Sequence, residues 1–93
     1  MKENELLEKL PYFVNAFGKI MMDSYSLSYM TELELLSLLN RCKRLREELF
    51  ELIPYEVLIK NMEKIYKAYS KINDLIWLKS KEIEDELEEK TND

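Results

Sequence analysis

A chain of 93 residues with one glycine and two prolines has almost nowhere to turn. Gly18, Pro11 and Pro54 are its only strong backbone breakers, and the Leu, Glu, Lys, Ile and Met that dominate the rest are good or acceptable helix formers. Few, long helices follow. At this length they belong to one domain with a single modest core, so residues 1–93 are expected to form one helical unit.

Apolar spacing locates the helices. From about residue 4 to 23, Leu6, Leu10, Phe13, Phe17 and Ile20 alternate steps of four and three and share one face, flanked by Leu7, Val14 and Met21. Pro11 lies inside this run, where it removes a backbone hydrogen bond. Either the helix kinks there, or a short lead-in precedes a helix with Pro11 in its first turn. The stretch "SYSLSYM" then places Tyr25, Leu27 and Tyr29 two residues apart, the pattern of an extended segment. It reads as a connection laying its aromatics over the end of the bundle, or as an edge open to a partner's strand.

The second helix, residues 31–52, has the clearest start. Thr31 and Glu34 are spaced as a capping box, with Met30 and Leu35 placed as a hydrophobic staple. Leu35, Leu38, Cys42, Leu45, Leu49 and Leu52 then form a heptad seam. Pro54 disfavours a helical Ile53, so a third helix is expected over 54–88, with 89–93 a frayed tail. Leu58, Met62, Ile65, Tyr69, Ile72, Ile76 and Ile83 carry its seam, interrupted at Lys79. At 1.5 Å per residue such a helix spans roughly 50 Å, more than the other two. The fold expected is all-α, an antiparallel three-helix bundle with a long C-terminal helix, completed by dimerisation or by a partner's helices.

The chemistry the chain lacks narrows its function. It has no histidine and one cysteine, Cys42, which removes the commonest general base, imidazole-based triads and zinc clusters. One glycine cannot make a phosphate-cradling loop. Glu47 with Glu51, and Glu82 with Glu86, stand on charge-dense surface where nothing tunes an acid or a base. No catalytic residue, metal or cofactor is expected. Cys42 lies on the seam as a small core residue. A single cysteine fits a reducing compartment. No stretch approaches the roughly 18 apolar residues of a membrane span, and residues 1–20 open on alternating charge. An intracellular, cytoplasmic protein without membrane contact is expected.

Net charge is -5, unevenly spread. Residues 1–40 hold three Lys against six acids, residues 41–81 ten Lys and Arg against six, and residues 82–93 one Lys against seven. The basic middle contains Arg41, Lys43, Arg44 and Arg46, followed by a line of Lys60, Lys64, Lys67 and Lys71 with Tyr66 beside it. These are candidate contacts for an acidic protein surface or a phosphate backbone, although ordinary solvated helix surface looks the same. The acidic end reads as solubilising charge or as a match for a basic partner.

The outreaching third helix is expected to leave Tyr69, Ile72, Ile76, Trp77 and Ile83 for a partner, with Trp77 the residue type most enriched in binding hot spots. The function expected is therefore that of a non-enzymatic interaction module: an accessory, adaptor or inhibitory subunit of an assembly that handles nucleic acid. Its partner would be a second copy, most simply in a homodimer, or another protein. Direct nucleic-acid binding through the basic helical face is the alternative.

Overall fold

A computed structural model describes residues 3–52 and 63–92. Among them the chain forms three α-helices and no strand: α1 (Glu3–Asp23), α2 (Glu32–Leu52) and α3 (Glu63–Thr91), with a 3-10 turn at Leu27–Tyr29. Pro54, Leu58, Lys60 and Met62, and with them the expected start of the third helix, lie outside the described residues.

The helices form one three-helix bundle. Tyr12 of α1 bonds Glu48 of α2, and Asp23 at the end of α1 bonds Arg41, so α1 and α2 run antiparallel. Arg46 bonds Asn73, and Cys42 lies beside Ser80, so α3 runs back along α2. The helices stack into a rod of 50 × 20 × 16 Å. Its core is continuous from Leu6, Phe13 and Tyr69 at one end, through Ile20, Cys42, Leu45 and Ile76, to Leu35, Leu38 and Ile83 at the other.

α1 is one helix with Pro11 inside it, which settles the alternatives left by the sequence. Pro11 is exposed, and the carbonyl it leaves without an N–H partner is that of Leu7, itself on the outer side and 48% exposed. Water can satisfy that carbonyl, so the helix continues. On the inner side, the buried Tyr69 hydroxyl donates to the Leu6 carbonyl and the ring meets Phe13 edge-on at 5.8 Å.

The connection departs from the extended segment expected for "SYSLSYM". Ser24 is buried, its hydroxyl and backbone N–H both donating to the Met21 carbonyl. Leu27–Tyr29 then coils, with Tyr29 and Met30 N–H groups donating to Ser26 and Leu27 carbonyls. Coiling turns Leu27 and Met30 onto the core and leaves Tyr25 and Tyr29 in solvent. The aromatics thus do not cover the bundle's end. The capping box forms as expected: Thr31 N–H and hydroxyl donate to Glu34 Oε1 at 3.1 and 3.0 Å, and Glu34 N–H donates to Thr31 Oγ1 at 3.2 Å.

The seam of α3 runs through Ile65, Tyr69, Ile72, Ile76, Ser80 and Ile83 and on to the partly buried Leu87. The steps are four, three, four, then four, three, four. Lys79 is therefore no break in the seam; the small Ser80 beside Cys42 holds that layer. An eleven-residue repeat stays in phase with a nearly straight helix, which a strict heptad does not. The helix also runs past its expected end at residue 88. α3 stays helical to Thr91, whose hydroxyl donates to the Leu87 and Glu88 carbonyls, and Lys90 Nζ donates to the Ser28 carbonyl at 3.1 Å.

Candidate protein interaction surface

The overhang expected of the third helix does not exist in the described part of the bundle. Tyr69, Ile76 and Ile83 have no exposed surface and Ile72 has 8%. They fill the core of their own chain instead of waiting for a partner. The reason is geometric: the Leu27–Tyr29 turn packs against α3, Lys90 Nζ reaches the Ser28 carbonyl, and Leu27 joins the core. Only Trp77 of the five remains on the surface, 44% exposed.

Trp77 belongs to a strip that the sequence did not assemble. Arg46 Nε donates to Asn73 Oδ1 at 3.0 Å across the α2–α3 groove, and the same guanidinium lies over the Phe50 ring at 5.6 Å. One turn beyond Asn73 stands Trp77, with Lys81 Nζ 5.6 Å from its ring. Two turns before Asn73, on the same face of α3, stands Tyr66. Phe50 is 56% exposed and Tyr66 40%. Leu36, two heptads before Phe50 on α2, is also exposed, beside Leu33, Asn40 and Arg44 on the outer side of α2. Phe50 and Leu36 escaped the sequence reading because each lies beside the seam, and only the docking of α3 shows which flank stays open.

The basic residues do not converge on one face. Arg41 is held by Asp23 at 2.7 Å, on the α1 side of α2. Arg46 is held by Asn73 and Phe50 on the α3 side. Lys43 and Arg44 are exposed, on different faces of α2. Lys64, Lys67 and Lys71 share one exposed line on α3, while Lys60 lies outside the described residues. Among the described residues the cations of α2 are thus spread over several faces, apart from the lysine line of α3.

Burial raises the Cys42 thiol above its ordinary value against the opposing pull of Ser80, Arg41 and Lys79, so it stays protonated and is poorly nucleophilic. Burial likewise raises the Tyr69 phenol. The Glu48 carboxylate, as hydrogen-bond acceptor and as charge, raises Tyr12. Among the described residues no group of His, Cys, Asp and Glu could hold a metal, and no helix is long and apolar enough to cross a membrane. No family model, curated protein or solved structure matches the chain.

Proposed function

We propose that this chain is a non-enzymatic protein–protein interaction module, an accessory, adaptor or inhibitory subunit that meets its partner through the α2–α3 strip. What supports the reading is the clustering of Phe50, Tyr66 and Trp77, each 40% exposed or more, around an arginine already held in place by Asn73. Tyr, Trp and Arg are the types that dominate binding hot spots. An arginine fixed before binding loses little entropy on contact. The charge pattern adds a setting to the proposal, an assembly that handles nucleic acid.

The test is capture of partners by the tagged protein from a lysate of its own source, with and without nuclease, beside Trp77→Ala and Phe50→Ala variants. A protein retained after nuclease treatment, and bound more weakly by over about 1 kcal/mol when Trp77 is removed, is the expected result. Partners that vanish with nuclease would replace this reading with direct nucleic-acid binding. Loss of helical structure in the variants would make the strip part of the fold.

A further inference from the structure

The outer face of α3, away from both the core and the aromatic strip, carries a charge pattern of which only Glu82 is paired among the described residues, with Lys79. Lys64, Lys67 and Lys71 line its first half, and none forms an ion pair among the described residues. Leu75 and Leu78 follow in the middle, 42% and 52% exposed. Glu82, Asp85 and Glu89 line the second half, all exposed, with Glu82 engaged only by Lys79 at 3.0 Å. The steps along this line are three or four throughout, so one stripe of the helix reads basic, leucine, acidic.

Three physical considerations show that the stripe is unfavourable in one chain. Neighbours three or four apart within each block carry like charge, which destabilises a helix. The blocks cannot relieve each other, because Lys71 and Glu82 are eleven residues apart, roughly 16 Å along the axis and beyond the screening length of about 8 Å in physiological salt. The acids also stand toward the C-terminal end of α3, against the helix dipole.

All three are reversed by one operation. Turn a second α3 end for end about the point midway between Leu75 and Leu78, and Leu75 comes level with the other copy's Leu78. Lys71 then comes level with Glu82 and Lys64 with Glu89, while Lys67 and Asp85 match to within one residue. Each Glu89 also comes level with Lys64 in the first turn of the other copy's α3, where the dipole favours it. We infer that the occupant of this face is a second copy of the same chain, in a twofold antiparallel dimer along α3, held by the leucine centre and six intermolecular ion pairs. The aromatic strip stays free on both copies, so the dimer would present two partner sites.

Four proteins test this by sedimentation equilibrium over a concentration series: wild type, Lys64→Glu/Lys67→Glu/Lys71→Glu, Glu82→Lys/Asp85→Lys/Glu89→Lys, and all six changes together. At low salt the wild type should reach twice its 11.3 kDa monomer mass, weakening as salt is raised toward about 0.5 M. Each triple reversal should weaken self-association more than about tenfold, and mixing the two should give a heterodimer. The sixfold reversal keeps the net charge of the wild type and should restore the dimer.

A wild type that stays monomeric overturns the proposal, as does a dimer indifferent to the triple reversals or a sixfold variant that fails to reassociate. Circular dichroism guards against unfolding. If a reversal lowers helix content, Leu75→Gln/Leu78→Gln serves instead, expected to be a folded monomer; a folded dimer from it would count against the leucine centre.

Discussion

Ile76 has no exposed surface, and Trp77, the next residue, keeps 44% of its own. One step along a helix is a turn of about 100°, enough to carry a side chain from the groove between α1 and α2 to the open flank of α3. The comparison extends along the helix. Tyr69, Ile72, Ile76 and Ile83 hold the bundle together, while Tyr66, Trp77, Leu75 and Leu78 do nothing for its interior. Hydrophobicity alone assigns both sets to burial. Position on the wheel, once the neighbours are docked, separates what stabilises the chain from what it offers to others.

The inner set should break first and hardest. Ile76→Ala and Ile83→Ala each empty a fully buried site, and chemical denaturation should show a loss of about 2–5 kcal/mol apiece. If Ile83→Ala cost no more than an exposed change, the closure of the connection over that end of α3 would be wrong. Ser80→Leu probes the same face from the other direction. It adds bulk where α2 and α3 approach through Cys42 and Ser80, and should cost about 1–3 kcal/mol by overpacking. Ser80→Ala should cost less, since it adds no bulk and the Ser80 hydroxyl donates to the Ile76 carbonyl of its own helix at 2.9 Å.

The outer set should barely register in the same measurement. Trp77→Ala loses partial burial and the Lys81 contact, about 1 kcal/mol or less of stability. A loss as large as that of Ile76→Ala would erase the distinction between the two faces. It would also return Trp77 to the core.

How much of this was legible beforehand depended on whether the signal was local. The capping box was, because Thr31 and Glu34 satisfy each other within one turn, and so was the α2 seam from Leu35 to Leu49, whose spacing is that of a single docked face. Pro11 was ambiguous because its cost depends on whether the carbonyl left without a partner faces water, which the sequence does not state. The missing overhang has a tertiary reason: "SYSLSYM" has the spacing of an extended connection with its aromatics over the bundle end, yet Leu27–Tyr29 coils, and Leu27 and Met30 pack against the core instead. A heptad puts Lys79 on the seam, whereas the eleven-residue repeat of α3 puts the buried Ser80 there. The aromatic strip needed the Arg46–Asn73 bond to be visible at all.

The smallest effect is also the most local, and it tests the best-read feature of the chain. Hydrogen bonds from Thr31 backbone and hydroxyl hold the Glu34 carboxyl below its ordinary value of 4.5. A carboxyl depressed in the folded state contributes stability that is complete above the unfolded value and disappears as pH falls through the folded one. Replacing Glu34 with Gln keeps an acceptor at the third position of the box, so the helix start survives while the titration is removed. The gap between wild type and Glu34→Gln, followed by urea denaturation at neutral pH and near about pH 3, should narrow in acid. A gap that stays constant would mean the box works as a neutral hydrogen-bond pair, with the charge of Glu34 idle. Thr31→Ala also removes the acceptor of the Glu34 N–H, a bond that does not titrate, so most of its cost of about 1 kcal/mol should persist at both, and that contrast separates loss of the cap from loss of the charge.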